Sequence, residues 1–118
     1  MGLKVEVQEA NSHLSIKAVG QYSLADLLAL FDNVKDESER RAESRVLLDI
    51  TQVAGSIPFV DMLGLGKHCS RIWKQAFRIA IVSPTGGLND FFEIVARNRG
   101  VQLAVVLTHQ AAIEWLRH

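Results

Sequence analysis

Val46-Leu47-Leu48-Asp49-Ile50 is a nearly continuous apolar run, the pattern of a strand covered on both faces. Thr51 to Ser56 reads as a loop with Gly55 as its breaker. Pro58 lies near the first turn of the helix that follows, where a missing N–H costs nothing. Met62, Leu65, Cys69, Ile72 and Ala76 then form one stripe, spaced three and four apart. A buried strand feeding a helix is the repeating unit of an α/β protein, and the chain continues in kind. Phe77 to Val82 is a second buried strand, and Ser83-Pro84-Thr85-Gly86-Gly87 a loop. Leu88, Phe91, Phe92 and Val95 mark another helix. Gly100 fits its end, at positive φ, with Arg97 and Arg99 placed to complement the dipole. Val101 to Leu107 is a last buried strand, and Thr108 suits the N-cap of a closing helix carrying Ala112, Trp115 and Leu116.

Upstream, the pattern changes. Leu3, Val5 and Val7 alternate with Lys4, Glu6 and Gln8, and Leu14, Ile16 and Ala18 alternate with Ser15 and Lys17. Alternation means strands with one wet face, and Glu9-Ala10-Asn11-Ser12 between them suits a hairpin turn. Ser23 and Asp26 resemble a capping box, after which Leu24, Leu27, Leu28, Phe31 and Val34 repeat at helical spacing. Asp36/Arg40 and Glu37/Arg41, four apart, point to a solvated helix end. The expected order is β-β-α-β-α-β-α-β-α: a mixed five-stranded sheet with four helices, one domain over residues 1–118.

Composition excludes several function classes. With 118 residues and a 48% apolar share, the chain can bury a core without metals or disulfides. Thirteen basic residues balance thirteen acidic ones, which leaves no excess charge to neutralise nucleic-acid phosphates. A single cysteine, Cys69, forms no internal disulfide. Met1-Gly2-Leu3-Lys4-Val5-Glu6 lacks the apolar core of a signal peptide, and no apolar run is long enough to span a bilayer. Gly2 matches the start of a myristoylation signal, but the residues after it continue as a strand. The expectation is a cytoplasmic protein.

Asp61-Met62-Leu63-Gly64-Leu65-Gly66 resembles the switch of the STAS family, the anti-sigma-factor antagonists and sulfate-transporter tails. The element order, Leu47-Leu48-Asp49-Ile50-Thr51, Arg78 to Pro84, and above all Phe92 to Val101 are similar to its SpoIIAA-like (STAS/SEC14-like) branch. In that family the switch reads Asp-Ser-Ser-Gly-Leu, and phosphorylation of one serine breaks a protein–protein contact. Here Met62 and Leu63 occupy the serine positions, and neither side chain accepts a phosphate. The resemblance implies a bacterial signalling module that keeps the scaffold and has lost its phospho-acceptor. It also implies a contact region around the start of the second helix. Ser56, read as the N-cap of that helix, and Thr51 are the nearby hydroxyls where a displaced acceptor would sit.

Catalytic constellations are not found. No nucleophile elbow, phosphate loop or dinucleotide fingerprint occurs in the sequence. Asp49 and Asp61 flank one loop, and Asp49 is expected to accept hydrogen bonds from the residues after it. Thr85-Gly86-Gly87 reads as a plain turn in preference to an anion cradle at the helix N-terminus that follows. His68 and Cys69 are adjacent and point to different helix faces, so no metal site is expected, and Cys69 belongs to the apolar stripe. Lys67, Arg71 and Lys74 share a solvated face. No cofactor is called for.

Ile57, Phe59, Val60, Met62 and Leu63 exceed what one buried helix face needs. The candidate binding set is therefore Thr51, Ser56, Ile57, Phe59, Val60, Asp61 and Met62, with Phe59 and Val60 off the buried stripe. Two readings follow: a non-catalytic interaction module that binds another protein, or a carrier or sensor of a small apolar, lipid-like ligand. A homodimer is compatible with either.

Overall fold

The two half-wet strands form as their alternation requires. In the computed structural model, which describes residues 2–74 and 76–117, they are β1 (Lys4–Glu9) and β2 (Leu14–Gln21). They pair antiparallel, with Lys4 opposite Val19 and Glu9 opposite Leu14. Ser23 caps α1 (Leu24–Arg40) by accepting from the Asp26 N–H at 3.1 Å. At its far end Arg40 and Arg41 both hold Glu37; the i,i+4 partner expected for Arg40 was Asp36, and it takes the i,i+3 carboxylate instead.

β3 (Arg45–Ala54) is longer than its apolar run. Thr51 to Ala54, expected as loop, stay extended because β2 supplies partners for this end of the strand. After a register shift between Lys17 and Val19, Gln52, Val53 and Ala54 lie opposite Val19, Gly20 and Gln21. The strand stops at Gly55, whose φ of 102° lies in the left-handed region that favours glycine. α2 (Phe59–Ile72), β4 (Arg78–Val82), α3 (Asp90–Asn98), β5 (Gln102–Val106) and α4 (His109–Arg117) complete the order. The sheet runs β1-β2-β3-β4-β5, and β2 to β5 are parallel. The expected mixed five-stranded sheet with four helices is the one observed.

Strand periodicity divides the core between two faces. Val46, Leu48 and Ile50, with Ile79 and Ile81, meet α1, α2 and α3 in the larger cluster. Leu47, Ala80 and Val82 point the other way, onto Ala112 and Leu116 of α4. That is why β3 and β4 read as continuous apolar runs. α4 covers β3, β4 and β5, so the opposite halves of β1 and β2 carry Lys4, Glu6, Ser15 and Lys17.

Two details of α2 position the site. Its stripe holds through Met62, Leu65 and Cys69, but the helix ends at Ile72 and Ala76 is exposed. Trp73 takes the place expected of Ala76: it is fully buried, donates its indole N–H to Phe31 O at 3.1 Å, and packs on the Phe31 ring. Gly66 sits where α2 crosses α3. A Cβ there would stand 2.6 Å from Val95 Cγ1 and 2.9 Å from Val95 Cβ. The bare backbone at Gly66 is what brings the two helices together.

Candidate functional site

The strand-to-helix entry, residues 51–63, carries the expected contact residues, and the structure sorts them by exposure. Phe59 and Val60 open α2 and stand 67% and 70% exposed. Thr51 and Ser56 are also exposed, and Asp61 is half-buried. Ile57 and Met62 are corrections. They are 7% and 4% exposed, packed into the large core, and offer no surface to a partner. Ser56 is a second correction. Pro58 occupies the N-cap, without a side-chain cap bond, and Ser56 lies outside the helix.

Asp61, in the first turn of α2, accepts a hydrogen bond from the Tyr22 hydroxyl at 2.7 Å. Burial, then the bond to this carboxylate, raises the Tyr22 phenol well above its ordinary range, so it stays protonated and donating. The pair ties the end of β2 to the start of α2. Ile57 N–H donates to Gly86 O at 3.1 Å, which ties the same segment to the loop after β4.

Phe59 does not stand alone. Its ring stacks on Phe91 of α3, with centroids 4.2 Å apart and planes at 27°. Two helix starts, held close by Gly66 on Val95, thus present one aromatic platform flanked by Val60. Sequence reading assigned Phe91 to the third helix's core set and did not pair it with Phe59. No spacing rule links residues on different helices.

Asp49, 6% exposed, accepts from the Thr51 N–H and hydroxyl at 2.8 and 2.6 Å, as expected of the residues that follow it. It also meets His109 Nε2 at 2.7 Å, at the start of α4, an unexpected partner. Burial works against its charge, but the bonds from Thr51 and His109 outweigh it and hold the carboxyl below its ordinary range. Asp49 and Asp61 have separate partners and do not form a carboxylate pair. Elsewhere His68 meets Asp32 at 2.9 Å. Burial pushes the Cys69 thiol up to about 12, which makes it an inert core group. Among the described residues no cluster of three or more His, Cys, Asp or Glu side chains is placed to hold a metal.

Comparison with solved structures places this fold. Over 98% of this chain and 94% of the other, it is similar to a DUF3478-family protein with a SpoIIAA-like fold from Shewanella loihica PV-4, at 23% identity and a TM-score of 0.55. Over 99% and 96% it is similar to an anti-sigma factor antagonist from Mycobacterium paratuberculosis, at 12% identity and a TM-score of 0.66. No family model matches the chain. No curated protein sequence matches it either. The fold is SpoIIAA-like.

Proposed function

We propose that this chain, one SpoIIAA-like domain over residues 1–118, is a non-catalytic regulatory module that works by binding another protein. The observation that carries the reading is the exposed pair Phe59 and Val60 at the start of α2, with the Phe59 ring stacked on the half-buried Phe91 of α3. Large, rigid aromatic surface lets a binding site gain contact area at low entropic cost. Its support is stiff: Gly66 against Val95, Tyr22 on Asp61, and Ile57 on Gly86. Ser56 and Asp61 are the polar residues of the same segment, whereas the Thr51 hydroxyl is bonded to Asp49 beside α4.

The likeness to an anti-sigma factor antagonist favours a protein partner and a place in signalling. The two positions matching the family's serines hold Met62, which is core, and Leu63, and neither side chain accepts a phosphate. Control by phosphate at that point is therefore absent in this reading, and binding is constitutive or controlled otherwise. No described helix is long and apolar enough to cross a membrane, and a cytoplasmic setting suits the module.

The test is a photo-crosslinking side chain placed at Val60 in the source cell. The reading expects a discrete protein adduct from Val60 and none from Leu24, an apolar position on α1 that is 37% exposed. Equal labelling from both positions, or adducts from Leu24 alone, would sink it.

A further inference from the structure

The sheet changes its coverage between β4 and β5. β4 leads into α3 on one face, and β5 leads into α4 on the other. Adjacent parallel strands whose connections leave to opposite faces open a crevice beyond their carboxyl ends, the place where open α/β sheets bind ligands. A cleft of about 530 Å³ lies there, between the loop after β4 and the end of β5. That volume is in the range of small-molecule sites.

The lining specifies the ligand. Leu88, Phe91, Val105 and Leu107 supply apolar walls. Ser83 is 1% exposed, lines the same cleft, and its hydroxyl has no hydrogen-bond partner. An unpaired buried hydroxyl is costly, and a ligand that bonds to it recovers that cost. The Gly87 backbone packs beside that hydroxyl, and only glycine fits there: a Cβ on Gly87 would lie 2.5 Å from Ser83 Oγ. Charge settles the rest. Among the described residues no lysine or arginine lines the cleft, and Asp90 does. A phosphate or carboxylate ligand would meet Asp90 with no side-chain cation to offset it, and at the α3 start Asn89 already accepts from the Phe91 and Phe92 N–H groups.

We infer that the crevice beyond β4 and β5 binds a neutral small molecule with an aromatic or compact apolar body and one hydroxyl-type group directed at Ser83. The site is separate from the 57–63 segment, whose Ile57 and Met62 are packed core. It adjoins the aromatic platform through Phe91 and, through Gly86, the Ile57 backbone. It stands whether or not the platform binds a protein.

The probes are 2-naphthol and its anionic counterpart 2-naphthyl phosphate, titrated into the ¹⁵N-labelled protein. Naphthol is expected to shift amides within residues 83–91 and 105–107, and the phosphate to bind at least tenfold more weakly. Ser83→Ala should weaken naphthol about three- to tenfold, the worth of one neutral hydrogen bond. It should not lower the melting temperature, because the hydroxyl it removes is unpaired. Thr85→Trp, on an exposed loop residue of the rim, should block the cleft. Shifts outside these segments, equal binding of the phosphate, or full affinity in Ser83→Ala would each overturn the inference.

Discussion

Gly64 and Gly66 are two residues apart on α2, yet an added methyl group should act on them with opposite sign. Both are helical, so replacement by alanine removes the same backbone entropy cost, about 1 kcal/mol. At Gly64 nothing lies within 4 Å of the new Cβ. Gly64→Ala should therefore stabilise by about 1 kcal/mol and raise the melting temperature by about 4 °C. At Gly66 the new Cβ falls 2.6 Å from Val95 Cγ1, where about 3.5–4 Å is comfortable. α3 must give way by about 1 Å, and overpacking of this kind costs about 1–3 kcal/mol. Set against the propensity gain, Gly66→Ala should be neutral at best and destabilising by up to about 2 kcal/mol. The difference between the two variants cancels propensity and reads the packing cost alone. Differential scanning calorimetry of both against the wild type decides it. An equal rise in melting temperature for both would refute the close α2–α3 approach, and with it the stacking of Phe59 on Phe91.

Gly100 closes α3 at a φ of 97°, so Gly100→Val should destabilise by about 1 kcal/mol or more in a thermal melt, although no atom crowds the site. Asp49 has a depressed folded pKa, so its stabilisation is present above the ordinary carboxylate range and lost as pH falls through the folded value. In urea titrations from pH 5 down to 2, Asp49→Asn should show a shallower loss of stability than the wild type. Glu37, held down chiefly by Arg41, shares that window, so a slope remains in the variant. Met62→Ser restores the family's residue type but puts a hydroxyl into the core. It should cost about 2–4 kcal/mol in chemical denaturation, and an unchanged midpoint would show that position 62 is not core.

The sequence carried the element order because each element has a local cause. Apolar runs marked β3 to β5, and alternation marked β1 and β2. Ser23, Gly100 and Thr108 set helix ends, and Thr108 Oγ1 does accept from the Ala111 N–H at 3.1 Å. What escaped is non-local. β3 runs on from Thr51 to Ala54 because β2 is beside it, and Trp73 rather than Ala76 fills the space under Phe31 because the helix ends at Ile72, four residues short of Ala76. In the site, the exposure of Phe59 and Val60 follows from their place off the stripe. Ile57 and Met62 were counted with them because an apolar excess does not say which members are buried. The partners Phe91, Tyr22 and His109 come from other elements, and only the folded sheet brings them within reach.

The central claim is that the exposed Phe59 at the start of α2, stacked on Phe91 of α3, binds a protein partner. Phe59→Asp removes the ring and places a carboxylate at a helix N-terminus, where the dipole favours it. Loss of the stack on Phe91 costs about 0.5–1.5 kcal/mol, so the variant should keep its circular dichroism spectrum and melt only a few degrees lower. The measurement is quantitative affinity capture from the source cells with wild type and Phe59→Asp side by side. The account predicts that the proteins enriched by the wild type are lost from the folded variant. The same proteins retained at the same level would contradict it.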